Sequence, residues 1–398
     1  MPADFLYGLL GLSFWGYVLA AFIMVQVTMM AVTLYLHRDA AHRAVDLHPV
    51  LRHFFRLWIW MTSGMLTREW VAVHRKHHAM CEKPGDPHSP VVFGLQRVLT
   101  EGAELYREET NNPATLEKYG RGTPDDWVER KIYSRFPWAG IVLMVLLDLL
   151  LFGVPGIIII AVQMAAMPVF AAGVINGLGH HTGYRNFESD DASTNLVPWG
   201  LLIGGEELHN NHHAFPSSAK FSMRPWEFDI GWAFLRVFQA VGLAKVRRVA
   251  PRPKVKPAPG RTVDIDTLRA VIVNRMHVLR EYTRHVTLPV FRMELRQGSN
   301  ALLRRARSLL VRQPELLDAP ARAQLAEVLD HRPTLATVVE YRERLRALWN
   351  GAAQSNEKLL AQLADWVYEA EHSGIKSLQD FAARVRGYAL TPQANAPA

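Results

Sequence analysis

Apolar positions in the first half of the chain gather into stretches too long for a small soluble core. From about Phe5 to Leu36 there is no Lys or Arg, and Asp4 is the only charge before Arg38. As one helix this stretch would run roughly 48 Å, more than the ~30 Å of a bilayer core. The pattern predicts a long helix that crosses the membrane and protrudes, carrying His37 below its surface. Leu51 to Trp70 mixes Phe54, Phe55, Trp58 and Trp60 with Arg52, His53 and Arg56. That mixture reads as an interfacial helix with an aromatic belt. Two further spans are expected, about Trp138 to Phe152 and Ile157 to Gly177, joined by the tight turn Gly153-Val154-Pro155-Gly156. The turn lacks basic residues, whereas Arg130, Lys131, Arg135 and Arg185 flank the pair. The flanks are therefore assigned to the cytosolic side. Two spans return the chain to the side it left, so polar groups before and after them can share one membrane face.

The second half reads differently. Lys245 to Arg261 is a basic, Pro-rich linker, and about Val263 to Tyr388 shows amphipathic helical periodicity, as in Leu268, Val271, Ile272, Met276 and Leu279. Thr391 onward is small and polar, as a disordered tail would be. The expected organisation is all-α. A membrane helical bundle with a cytosolic helical cap spans 1–247, a linker 248–262, a soluble helical extension 263–390 and a tail 391–398.

Composition narrows the chemistry. The 398 residues carry a net charge of +8. With no recognition motif present, this excess reads as membrane-surface charge and not as a nucleic-acid footprint. Cys81 is the single cysteine, which excludes an internal disulfide, a Cys-ligated iron–sulfur cluster and a Cys-type zinc site. Without a Gly-rich nucleotide fingerprint or a C-x-x-C-H haem signature, electrons would have to come from a separate donor. The N-terminus lacks a basic n-region and a cleavage site, so its apolar run is expected to be a retained anchor.

Nine histidines then stand out by spacing. They are His37 and His42, His74, His77 and His78, His180, and His209, His212 and His213. Residues three and four apart share a helix face, so each H-x-x-H-H presents two or three imidazoles together. His37 and His42 are five apart, about 140° round an α-helix, and converge only if that helix ends or bends between them. Asn176 lies one turn before His180. An all-imidazole site suits iron, zinc, copper or nickel, and nine rings exceed what one ion needs. The other histidines, such as His48, His53 and His181, are read as ordinary packing or surface residues.

The segments H-R-D-A-A-H-R, E-W-V-A-V-H-R-K-H-H, G-D-P-H-S, N-G-L-G-H and G-E-E-L-H-N-N-H-H-A-F-P occur in this order. Together they resemble the membrane fatty acid desaturases of the stearoyl-CoA type, in the style of bacterial acyl-CoA delta-9 desaturases, over roughly Leu34 to Arg247. The resemblance implies a four-span helical fold with a cytosolic cap and two iron ions in a non-haem di-iron centre. Its implied ligands are His37, His42, His74, His77, His78, His180, His209, His212 and His213, with Asn176 acting through a water. Asp86, Pro87 and His88 match a motif given a structural role. His209, in place of Gln, favours delta-9 chemistry over front-end desaturation. The implied partners are a fatty acyl thioester such as acyl-CoA, O2, the lipid bilayer and an electron donor of ferredoxin, rubredoxin or cytochrome-reductase type. The implied location is a multi-pass position in a bacterial inner membrane with histidines and C-terminus in the cytosol. Animal members carry Arg and Asp just before the second box, where this chain has Ala72 and Val73, which leaves another thioester or a phospholipid chain open as substrate. Trp58, Trp60 and Trp70 are expected to wall an acyl tunnel, together with a face of Ile157 to Phe170. Around Arg344 to Tyr388 there is a fainter resemblance to the helical end of certain transposases, without a carboxylate triad.

Two other classes compete: a membrane di-iron hydroxylase, which would yield an alcohol, and a metal transporter, which would distribute histidines through several spans. A bare anchor for the C-terminal part would leave the histidines unused.

Overall fold

A computed structural model describes residues 6–256, 262–298, 301–350 and 354–390. The expected tail from Thr391 and the middle of the linker lie outside the described residues. Helices carry nearly all the regular structure, and strands are limited among the described residues to short two- and three-residue pairs. The chain forms two compact units. One holds Met1–Arg185 and Asp191–Ala250; the other holds Asn186–Asp190 and Pro251–Ala398.

In the first unit, Ser13 caps helix α1, Phe14–Met30, by accepting from the Gly16 N–H. The helix continues as a π-helix over Ala31–Ala41, giving an apolar rod of 28 residues. It starts later than the apolar run does, because residues 6–11 turn back and bond to the end of a neighbouring helix through Leu9 N–Leu150 O and Leu10 N–Leu151 O, both 3.0 Å. The mixed segment after it is two helices and not one. Helix α2, Pro49–Ser63, stops where Gly64 takes φ 65°, and helix α3, Thr67–Met80, begins after Leu66. Helix α4 is Leu95–Thr110.

Helices α5, Pro137–Phe152, and α6, Pro155–Ala166, form the expected hairpin at Gly153, and α6 continues as a π-helix over Met167–Ile175. The apolar helix Pro155–His180 has 26 residues, long enough to cross a bilayer, as is Phe14–Ala41. Helix α5 is shorter at 16 residues, about 24 Å, because Pro137 opens it and Gly153 closes it. Among the described residues two helices are therefore of spanning length where the apolar pattern suggested three. Their outer faces are exposed and apolar, including Trp15, Phe22, Ile158 and Val169, as a lipid-facing surface requires. Helix α7, His209–Ala214, is short and entirely buried, and helix α8, Ile230–Ala240, is capped by Asp229. Strand β1, Val45–Leu47, pairs antiparallel with a strand over Ala244–Val246, tying the end of this unit to the residues just after His42.

The second unit is built from helices over Ile265–Val273, Arg275–Tyr282, Leu288–Gln297, Ala301–Leu310, Ala319–Asp330, Pro333–Asn350, Asn356–Glu371 and Lys376–Arg386. Leu268, Val271, Tyr282, Leu345, Trp366 and Phe381 fill its core. The segment Asn186–Asp190 joins this unit through its own contacts. Gln313 donates to the Glu188 carbonyl at 2.7 Å, Thr283 bonds the Glu188 carboxylate, and Arg346 pairs with Asp190 at 2.9 Å.

Candidate metal centre

The local folding of each histidine segment explains its geometry. The helix that carries His37 ends at Ala41, between the two histidines, which is one of the two ways their spacing allowed them to converge, and its last turns are π-helical. The π-helical repeat bonds residue i to i+5, and the His42 N–H donates to the His37 carbonyl at 3.0 Å. Residues five apart thus stand one above the other, with ring centroids 4.9 Å apart. His74, His77 and His78 lie on α3, and His209, His212 and His213 on α7, where the three- and four-residue spacing brings them to one side. His180 ends a 3₁₀ turn that follows the π-helical end of α6.

The rings gather into two groups. His37, His42, His74, His78 and His212 have ligating atoms within 4.8 Å of one another, as do His77, Cys81, His180 and His213. His209 faces the second group, its Nε2 lying 3.0 Å from that of His180. All nine sequence-selected histidines are therefore brought together, within one unit. Within the first group, Nε2–Nε2 separations are 3.0 Å for His37–His212, 2.9 Å for His78–His212 and 2.8 Å for His42–His74.

Carboxylates fix four of the rings from behind. Glu206 accepts from His37 Nδ1 at 2.7 Å, Glu82 from His180 Nδ1 at 2.7 Å, Asp86 from His77 Nδ1 at 3.0 Å and Asp191 from His213 Nδ1 at 3.0 Å. Sequence reasoning missed Glu82, Glu206 and Asp191 as functional residues and gave Asp86 only a structural role. Glu206 lies three residues before His209, and Glu82 four after His78, so acidic residues beside the boxes were the available signal. Asp191 had none. Glu206 is itself held by Thr33, while Arg38 pairs with Asp229 at 2.9 Å. A Cβ on Gly231 would collide with the Arg38 guanidinium, so this corner accepts only glycine.

The electrostatics favour neutral rings with free lone pairs. Burial, aided by neighbouring imidazoles, holds His42, His74, His78, His209 and His212 well below the usual imidazole range. Burial also takes His213 down to about 4, against the pull of Asp191. Burial works against ionisation of Asp86 as well, yet His77 and His88 hold its carboxyl well below the ordinary range. A neutral ring that donates Nδ1–H to a carboxylate keeps a bare lone pair on Nε2. In each close pair at least one ring lacks such a carboxylate, so its own proton can bridge the two Nε2 atoms. His213 Nε2 and the Nδ1 atoms of His209 and His212 are buried without any hydrogen-bond partner. The nitrogens that converge in the two groups fit cations, and sets of imidazoles, with the Cys81 sulfur beside the second, fit first-row transition metals.

A cavity of about 210 Å³ opens beside these rings. Its wall includes His37, His74, His77 and His209 together with Met29, Met164 and Met167. Asn176 and Trp70 also line it, and Trp70 stacks on His74 with ring centroids 4.8 Å apart. Trp58 and Trp60 point elsewhere. Trp58 donates to Thr28 at 2.9 Å, and Trp60 donates to the Phe136 carbonyl at 3.2 Å while packing on Tyr133. The expected face of α6 contributes through Met164, with Met167 and Pro168 beyond it.

Comparison with known proteins places this geometry in a family. A fatty acid desaturase model matches residues 12–236. A delta-9 acyl-lipid desaturase of Arabidopsis thaliana is 30% identical over 235 residues, covering 58% of this chain and 74% of the relative. An sn-1 stearoyl-lipid 9-desaturase of Synechocystis is 29% identical over 255 residues, covering 63% and 75%. A palmitoyl-monogalactosyldiacylglycerol delta-7 desaturase of Arabidopsis is 30% identical over 239 residues, covering 58% and 62%. A separate transposase model matches residues 268–390, wider than the Arg344–Tyr388 resemblance. The chain belongs to the fatty acid desaturase family, membrane-associated oxidoreductases that act on fatty acyl chains.

Proposed function

We propose that this protein inserts a cis double bond at the delta-9 position of a saturated fatty acyl chain, using O2 and an external electron donor. The observation that carries the reading is the convergence of nine imidazoles, some with unpartnered buried nitrogens, beside an apolar cavity that four of them line. His37, His42, His74, His78 and His212 would hold one iron ion, and His77, His180, His209 and His213 the other, with Asn176 acting through a water. Bound iron supplies the activation of dioxygen that hydrogen abstraction from an unactivated methylene requires. The protein's own share is positioning. Glu206, Glu82, Asp86 and Asp191 lock ring orientation and tautomer, which keeps the ligand nitrogens aimed inward. Trp70 buttresses His74 at the cavity wall. The methionine-rich lining holds the chain in a fixed path and keeps water away from the reacting carbons.

For the acyl carrier, two observations favour a membrane lipid over acyl-CoA. Ala72 and Val73, standing where charged residues would contact CoA, are 0% and 2% exposed. Side chains so buried and apolar cannot reach a nucleotide phosphate. The named relatives also act on lipid-bound chains. The protein would then be a multi-pass membrane protein with its histidines on the cytosolic side. In domain terms, 1–247 would be the desaturase part and 263–390 a helical extension.

Expression of the full chain in a host lacking desaturases tests the reading. Fatty acids of the glycerolipid and acyl-CoA pools are separated and analysed by mass spectrometry with double-bond localisation. The expected result is a new delta-9 monoene appearing first in glycerolipid. A hydroxylated product overturns the reaction type, and a monoene appearing first in acyl-CoA overturns the carrier.

A further inference from the structure

The two groups of imidazoles are not built alike. In the group of His77, His180, His209 and His213, three of the four rings are backed by a carboxylate: Asp86, Glu82 and Asp191. In the group of His37, His42, His74, His78 and His212, one of the five is, through Glu206. The difference persists when the neighbouring charges are counted. Arg38 stands beside Glu206, and both share Thr33. Arg75 acts on His42. Beside the second group, Arg185 bonds the Asp191 carbonyl and offsets part of that charge. Cys81 Sγ also lies in the second group, 3.7 Å from His77 Nε2. Near the first position Glu206 and Asp229 face Arg38 and Arg75, whereas near the second three carboxylates face Arg185 and Lys83, which leaves the second the more anionic.

We infer that the two metal positions are unequal in affinity, and that Asp86, Glu82 and Asp191 make the His77–His180–His213 position the tighter one. A carboxylate behind a ligating imidazole raises its basicity and fixes its direction, and loss of such a partner typically costs about 10–100-fold in metal affinity. Two additional carboxylates therefore separate the positions by at least about tenfold. These are positioning residues that act through the rings and do not touch the ion. The inference rests on reading the nine histidines as a two-ion centre.

The test is metal release from the purified full-length iron-loaded protein in detergent, followed by elemental analysis and Mössbauer spectra at graded chelator concentrations. Release is expected in two steps, with the first ion leaving at about tenfold less chelator than the second and two distinct iron spectra of which one disappears first. Asp191→Asn and Glu82→Gln keep an acceptor oxygen but remove the charge. Each should speed the slow step about tenfold or more and leave the fast step in place. Glu206→Gln should speed only the fast step. A single-step release of both ions, or slow-step acceleration by Glu206→Gln alone, overturns the inference while leaving the two-ion reading standing. Failure of the wild-type chain to hold more than one ion overturns that reading itself. Gel filtration and melting curves identify variants that fail to fold, and the two isosteric substitutions in the second group check each other.

Discussion

His37 and His212 are 175 residues apart in sequence, yet their Nε2 atoms stand 3.0 Å from each other. The His37 Nε2 is a bare acceptor once Glu206 takes the Nδ1–H of His37, and His212, whose Nδ1 has no partner, can turn its one proton toward it. A bound cation would take the place of that shared proton and be met by both lone pairs. His212 also meets His78 at 2.9 Å, which makes it the hub of its group. His212→Ala should reduce bound iron from about two to about one per chain, by this group's loss of its hub, and abolish desaturation. Iron analysis with a product assay in the desaturase-free host checks both, and normal turnover in the variant would refute the ligand set.

The same burial that keeps these rings neutral makes the metal-free protein acid-sensitive. His42, His74, His78, His209 and His212 sit well below the ordinary imidazole value, and His213 falls to about 4. An imidazole whose folded pKa is depressed takes up its proton first in the unfolded chain. The unfolded state then binds more protons, and stability drops as pH falls below about 6.5. For His213 that loss runs down to about pH 4. His77, raised by Asp86 against the effect of its burial, pulls the other way but is one group against six. Melting of the chelator-treated protein should fall by roughly 5 °C or more between about pH 7 and pH 5. A flat or rising profile would contradict the assignment of these rings as neutral.

Much of this centre was legible in the chain because helical spacing is a local rule. His74, His77 and His78 needed only an α-helix to share a face, and α3 provides it. His37 and His42 were harder, since a spacing of five fits no α-helical face and nothing in the sequence announces a π-helix. The carboxylates were harder still. Asp191 reaches His213 from 22 residues away, a contact set by tertiary folding alone. Trp58 and Trp60 show the opposite error: aromatic content suggested a tunnel wall, but each indole N–H found a partner elsewhere in the packing. The apolar pattern gave helices α1, α5 and α6 and the end of α5 at Gly153, but it could not show that residues 6–11 fold back on that end and delay the start of α1 to Phe14.

In the second unit, Trp366 is 1% exposed, donates to the Tyr341 carbonyl at 2.9 Å and packs between Tyr282, Tyr341 and Phe381. Trp366→Ala removes a large side chain from a closed core and should destabilise this unit by about 3–5 kcal/mol. Trp366→Phe keeps most of the volume and loses mainly the hydrogen bond, for about 1 kcal/mol. Limited proteolysis of the full chain, with cleavage sites mapped by mass spectrometry, should show Val263–Tyr388 cut much faster in the Ala variant than in the Phe variant. Equal rates would mean the indole is not a core anchor.

The cavity carries the last prediction. Met29 lies eight residues before His37 along α1 and its π-helical continuation, and lines the cavity with it. Met164 on α6 lines the same cavity. An acyl chain with its reacting carbons at the histidines would run its methyl end toward these two side chains. Methionine is pliable, and its replacement by a larger rigid ring shortens the space available. A single methylene too many in a filled apolar pocket costs about tenfold in kcat/KM. Met164→Trp should therefore shift the product toward shorter chains, with activity on the original length falling about tenfold or more while bound iron is unchanged. The readout is the chain-length distribution of monoenes in the desaturase-free host, beside iron content. Unaltered chain preference with full iron would mean that the methyl end does not lie against α6, and that the chain enters the cavity in the reverse sense.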